Sequence, residues 1–339
     1  MKSHVGRGSF RPPPGLRNPH VQSILATLGL RARWGERNAS EGGGTSQNVL
    51  VQCEDGTRLV AAHTLPRNPS TSRGAAILLH GWEGSAESAY LVCLGRYLHR
   101  VGYEVFRVNF PDHGGTHELN PGVFHACRLD EMVLAVKEIA RLSAGGPTYL
   151  VGFSLGGNFA LRIACEAPSR GIPIERVVAV CPVIDPSHSL DAIERAPWFY
   201  HQRFLSRWTR SLRLKERAFP DRYPLDPLGP ANLRLRTDLL IKRFTDFAGI
   251  DEYLDGYSIA RDRLAGLRCP STILAAADDP VIPVNDLLEI EKPDCLEIEI
   301  QRWGGHCGFI ENSSLQSWAE RRVAQILARP REGAAKMAG

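Results

Sequence analysis

The chain has 339 residues, 43% of them hydrophobic and 23% charged, with a formal net charge of +4. That is enough apolar material for a substantial core, and the small, mixed charge surplus argues against a nucleic-acid partner. Eight cysteines stand apart with no C-x-x-C pair, no run of 18 apolar residues occurs and the N-terminus carries no apolar leader. The pattern predicts buried, reduced thiols in a cytoplasmic protein, without a zinc site, secretory signal or membrane span.

Residues 1–46 are rich in Pro, Gly and Arg around one apolar stretch at 21–30, and end near Gly42-Gly43-Gly44. They read as an N-terminal arm that packs on the body, followed by a flexible joint. Residues 48–53 and 59–65 flank Asp55-Gly56-Thr57, which predicts a β-hairpin closed by an Asp-Gly turn. The pattern then changes. A continuous apolar strand at 75–80, a helix at 87–100, a strand at 103–109, a helix at 129–142 and a strand at 148–153 form βαβ alternation. A helical run at 158–166 and another buried-type strand at 176–181 follow. Alternation stops near 185 and resumes at about 271, with strands at 271–277 and 296–300 and a helix at 314–328. The expectation is an α/β fold, a mostly parallel twisted sheet with helices on both faces. Its core spans 47–184 and 263–329, with a helical cap inserted at 185–262 and a frayed tail at 330–339.

The most informative stretch lies between a strand and a helix: Gly152-Phe153-Ser154-Leu155-Gly156, a G-x-S-x-G turn. The pattern places a serine on a turn too sharp for bulk on either side, beside a helix N-terminus that favours developing negative charge. A serine hydroxyl needs a positioned base, itself oriented by a carboxylate. Asp278 and Asp279 end one late strand, and His306 follows the next between glycines. Strand C-termini of a parallel sheet meet at one edge, so these groups can converge. Either aspartate fits the acid's place; Asp279 is our assignment. An oxyanion needs donors as well. They are the N–H of Leu155 and, from the loop His80-Gly81-Trp82-Glu83-Gly84, the N–H of Trp82.

Together with Arg17-Asn-Pro-His-Val-Gln22, His80-Gly-Trp-Glu-Gly-Ser85, Gly152-Phe-Ser-Leu-Gly-Gly-Asn158, Ala277-Asp-Asp-Pro280 and Gly304-Gly-His-Cys-Gly-Phe309, these features carry a family resemblance. The chain resembles the YheT-like family of α/β-hydrolases, which includes bacterial esterases and eukaryotic lipid ester hydrolases and acyltransferases. The resemblance implies an α/β-hydrolase fold and a charge relay of Ser154, Asp279 and His306. Two regions depart from it. Phe110-Pro-Asp-His-Gly-Gly115 replaces an Arg-Gly loop, and the insertion matches poorly; both line the substrate pocket in such folds.

The insertion holds 11 of the 26 aromatic residues, which suits an apolar lid over the serine. Within it Arg203, Arg207 and Arg210 share one helical side and Phe204, Leu205, Trp208 and Leu212 another, an amphipathic basic helix. Such a surface is either a solvated charged face or a place of peripheral membrane contact through the cap. Asp112, His113, His117 and His125 match no metal motif, and serine chemistry requires neither metal nor other cofactor. The reading is therefore a serine carboxylester hydrolase acting on a small-molecule acyl ester, of short to medium chain or lipid type, through an acyl-enzyme on Ser154. An alcohol acyltransferase with the same relay and a non-catalytic binding module are the alternatives.

Overall fold

The computed structural model describes residues 10–32, 44–224 and 232–330. Eight strands form one sheet: β1 (Gln47–Gln52), β2 (Arg58–Thr64), β3 (Ala75–Leu79), β4 (Glu104–Val108), β5 (Thr148–Phe153), β6 (Ile174–Val180), β7 (Ser271–Ala276) and β8 (Leu296–Gln301). Their order across the sheet is β1-β2-β4-β3-β5-β6-β7-β8. The expected hairpin pairs β1 with β2 antiparallel, and β2 joins β4 antiparallel; every other pairing is parallel.

β3, β4 and β5 are buried along their whole length, as their unbroken apolar runs require of strands covered on both faces. Successive side chains point to opposite sides. Ile77 and Leu79 therefore join one core layer with Val133, Ile139, Phe159 and Ile163, from α3 (Leu129–Leu142) and α4 (Leu155–Glu166). Ala76 and Leu78 join the other with Leu91, Leu94, Val323 and Ile326, from α2 (Ala89–Arg100) and α10 (Trp318–Leu327).

Between β6 and β7 lie α5 (Pro186–Arg195), α6 (Trp198–Ala218), α7 (Leu233–Phe244) and α8 (Ile250–Gly256), and a short α9 (Val284–Leu288) follows β7. The basic helix is α6, with Trp208 and Leu212 buried and Arg203, Arg207 and Arg210 exposed.

Three elements differ from expectation; the last helix, expected from 314, begins at Trp318. The helix after the G-x-S-x-G turn starts at Leu155 rather than 158, because Gly156 and Gly157, read as turn residues, form its first turn. The apolar stretch of the arm contains a helix, α1 (Pro19–Thr27), whose start is fixed locally. Asn18 Oδ1 accepts from the N–H groups of His20 (2.9 Å) and Val21 (3.2 Å), and Pro19 at the first position has no N–H to leave unpaired. Most of the Gly-rich joint and all but the first residue of the tail lie outside the described residues.

Candidate active site

The sharp turn after β5 is built by exclusion of side chains. A Cβ on Gly152 would lie 2.0 Å from the carbonyl oxygen of Gly156, and one on Gly156 would lie 2.4 Å from that of Leu79. Between them Ser154 adopts φ 55° and ψ −119°, left-handed backbone that costs a non-glycine residue on the order of 1–3 kcal/mol. Its N–H donates to Val180 O (2.9 Å), while its carbonyl accepts from Asn158 (3.1 Å) and Val183 (3.4 Å). The end of β6, the residues just after it and α4 thus hold the strained serine at the C-terminal edge of the sheet.

The Ser154 hydroxyl lies 3.0 Å from Nε2 of His306. On the other side of the ring Nδ1 lies 2.9 Å from Asp279 Oδ2 and 3.2 Å from Oδ1, so Nδ1–H donates to the carboxylate and Nε2 is left to accept the serine proton. Asp279 is itself fixed. Its Oδ1 accepts from the N–H groups of Val281 (2.8 Å) and Ile282 (3.0 Å), and its side chain is 2% exposed, which keeps water from competing for the imidazole. Burial alone would lower the His306 pKa; the Asp279 carboxylate, with Cys307 beside the ring, overrides it and lifts the imidazole well above its ordinary value. Asp278, the other acid considered, turns away and accepts from the Gly305 N–H at 2.9 Å.

Leu155 opens α4 directly after the serine, and the Trp82 loop abuts it: a Cβ on Gly81 would lie 3.2 Å from Cβ of Ser154. His80 orients that loop. Its Nδ1 donates to Gly81 O (2.7 Å), which also accepts from the Gly84 N–H (3.0 Å), and its Nε2 accepts from the Phe110 N–H (3.2 Å). Because the Gly81–Trp82 peptide is planar and trans, clamping the carbonyl aims the Trp82 N–H to the opposite side. Full burial lowers the His80 pKa far below its ordinary value and keeps the ring neutral, the form with one donor and one acceptor that these bonds require.

Beside the serine is a cavity of about 110 Å³ lined by Trp82, Leu155 and Phe124 from the body, with Leu190, Ile193, Phe204, Trp208, Ile241, Tyr253 and Tyr257 from or next to α5–α8. Trp82 stacks on Phe204 with ring centres 5.5 Å apart. Four of the aromatic residues of the insertion thus line the cavity, while Tyr200 and Tyr223 are buried in packing elsewhere.

The polar residues after β4 are engaged locally. Asp112 Oδ1 lies 2.7 Å from Nζ of Lys215 on α6, and its Oδ2 accepts from Phe124 N–H at 2.7 Å. His113 Nδ1 donates to Pro111 O (2.8 Å), His117 pairs with the Ser211 hydroxyl (3.0 Å), and His125 meets Phe247 and Tyr253 edge-on. This loop anchors α6. Among the described residues, the side chains that do bring three such donor atoms within 4.8 Å of one another are Cys181, His306 and Cys307. Glu83, whose side chain is 8% exposed, is pushed up to about 8 by burial against the opposing pull of Arg207.

Sequence reasoning missed Lys215, a lysine 1% exposed on a helix that reads as simply basic. It also gave Asn158 no role, although its amide nitrogen donates to Val183 O (3.0 Å) and Tyr257 O (2.8 Å), tying α4 to the residues after β6 and α8. The position of Asn158 in Gly152–Asn158 was the available signal.

A profile of the alpha/beta hydrolase fold matches residues 76–313, and the chain belongs to that family. Within it, the chain is 25% identical over 330 residues to YheT of Escherichia coli (strain K12), a protein that bears an esterase name, with 94% of this chain and 92% of that one covered. A second protein bearing an esterase name, slr0264 of Synechocystis, is 26% identical over 76% of this chain and 79% of its own length. The solved structure of the Pyrococcus furiosus esterase Pf2001 superposes with a TM-score of 0.54 at 17% identity, covering 84% of this chain and 90% of that one, a likeness of fold.

Proposed function

We propose that the chain is a carboxylic ester hydrolase that works through an acyl-enzyme on Ser154. The observation that carries the reading is the unbroken hydrogen-bonded relay from Ser154 Oγ through His306 to Asp279 at the mouth of an apolar cavity. His306 Nε2 takes the serine proton as Oγ attacks the ester carbonyl, and Asp279 stabilises the imidazolium. The N–H groups of Leu155 and Trp82 receive the oxyanion. The imidazolium then protonates the departing alkoxide, and water activated by the same nitrogen releases the acid and regenerates Ser154.

The cavity bears on the substrate. A dry cavity of ~150 Å³ admits benzene, so about 110 Å³ admits an acyl chain of a few carbons with α5–α8 as they stand. This supports short acyl esters, with longer chains requiring the helices to part. The esterase names of YheT and slr0264 point the same way. The test is Ser154→Ala with p-nitrophenyl acetate, butyrate and octanoate, together with labelling by a fluorophosphonate. Turnover should fall by on the order of 10⁶, and labelling at residue 154 should vanish while the fold persists. A folded Ser154→Ala protein with near-wild-type hydrolysis overturns the assignment.

A further inference from the structure

The N-terminal helix α1 contributes no group to the relay, yet it meets the histidine loop at more points than packing requires. Gln22 is fully buried and both ends of its amide are used. Its Oε1 accepts from the Ile310 N–H (2.6 Å), and its Nε2 donates to Ile310 O (3.0 Å) and Leu16 O (2.6 Å). Ser23 is one residue further along. Its hydroxyl donates to Pro19 O (2.7 Å) and accepts from the backbone N–H of His306 itself (2.8 Å). The fit is close: a Cβ on Gly305 would lie 2.3 Å from Pro19 O, and one on Gly308 2.6 Å from Gln22 O. α1 also touches α6, with His20 Nδ1 3.3 Å from the Tyr200 hydroxyl.

The loop needs such support. Gly304 and Gly305 take positive φ at little cost, but Cys307 (φ 61°) and Phe309 (φ 49°), just after His306, hold non-glycine left-handed backbone that persists only where the surroundings over-determine it. Asp279 fixes the ring at Nδ1, but the ring's reach to Ser154 also depends on where the His306 backbone sits.

We infer that Ser23, braced by Gln22, is a positioning residue for His306: α1 sets the height and angle from which the imidazole meets the Ser154 hydroxyl. This rests on the hydrolase reading above for its effect on turnover, while the geometric claim is independent of it. A misplacement of about 1 Å in a reacting group costs on the order of 10² in rate. Removing the hydroxyl therefore lowers the chemical step and leaves substrate binding in the cavity intact.

The experiment compares Ser23→Ala and Gln22→Met with wild type in the full chain. Readouts are kcat and KM for p-nitrophenyl butyrate, the urea midpoint, and the low-field proton resonance of His306 Nδ1–H. Under the inference, Ser23→Ala loses on the order of 10² in kcat with KM within about twofold. Its low-field resonance shifts or broadens at unchanged fold, and Gln22→Met shows a smaller effect in the same direction. If Ser23→Ala fails to fold, Gln22→Met carries the test. Wild-type kcat and an unmoved resonance in a folded variant overturn the inference, as does a loss of activity that merely follows the unfolded fraction. An active Ser154→Ala protein with a shifted resonance in Ser23→Ala overturns the hydrolase reading and leaves the positioning role standing.

Discussion

Replacing Lys215 by Met tests how α6 is held to the body. The Lys215 ammonium sits 2.7 Å from Asp112 Oδ1, 2.6 Å from Asn120 O and 3.3 Å from His117 O, and the two side chains are 1% and 5% exposed. Methionine fills similar space without the charge. Burial already raises the Asp112 pKa despite Lys215; deprived of its partner, the carboxyl takes up a proton rather than remain a lone buried charge. Holding that proton at pH 7 on a group whose ordinary value is 3.8 spans roughly 3.2 pH units, a ceiling of about 4.4 kcal/mol at ~1.36 kcal/mol per unit. This agrees with the ~3–5 kcal/mol typical when one member of a buried pair is removed. The sign of the pH dependence follows. Above 3.8 the folded variant binds a proton that its unfolded chain does not, so its deficit relative to wild type grows with pH and shrinks by about 1.4 kcal/mol for each unit that pH falls toward 4. Urea unfolding of both proteins at pH 7, 6 and 5 measures this. A deficit below about 1 kcal/mol at pH 7, or one equal at pH 5 and pH 7, refutes the reasoning.

Two further outcomes follow from the site. In the proposed mechanism His306 serves as a base only when neutral; its pKa is raised, chiefly by Asp279 acting against burial, so kcat/KM should climb with pH through a midpoint above 6.5, and Asp279→Asn should move that midpoint down while lowering kcat by roughly 10⁴. A wild-type midpoint at or below 6.5 in the pH–rate profile contradicts this assignment. Gly156→Ala places a methyl group 2.4 Å from Leu79 O and 2.5 Å from His80 O, so the turn must open at a cost of about 3 kcal/mol, read as a lower urea midpoint or loss of soluble protein; a soluble protein of wild-type stability argues against the steric account of the turn.

Where local chemistry dominates, the sequence was a good guide. β5 and α3 occupy the expected 148–153 and 129–142, because an unbroken apolar run and a helical apolar stripe each have one sensible way to be buried. Ser154, the Asp278-Asp279 pair and His306 stood out because nucleophile, acid and base require particular residue types at strand ends. Choosing between the two aspartates called for direction, which spacing does not encode: Asp279 faces the ring and Asp278 faces the Gly305 N–H. The contacts that escaped notice are long-range and made by unremarkable residues. Lys215 reads as one more cation on a basic helix, and nothing in its neighbours announces Asp112 some hundred positions earlier. Ser23 sits in an arm that reads only as packing on the body, and its partner lies 283 positions away.

That last separation has a consequence for when the protein can act. During synthesis the chain emerges from its N-terminus, and the strained serine can be in place soon after β6 pairs beside it. The proposed base and its brace lie 283 positions apart, and such distant pairings form late and slowly. A nascent chain that has not yet reached residue 306 therefore carries the serine without its proposed base. Under the proposed mechanism, activity waits until residues 23 and 306 have met.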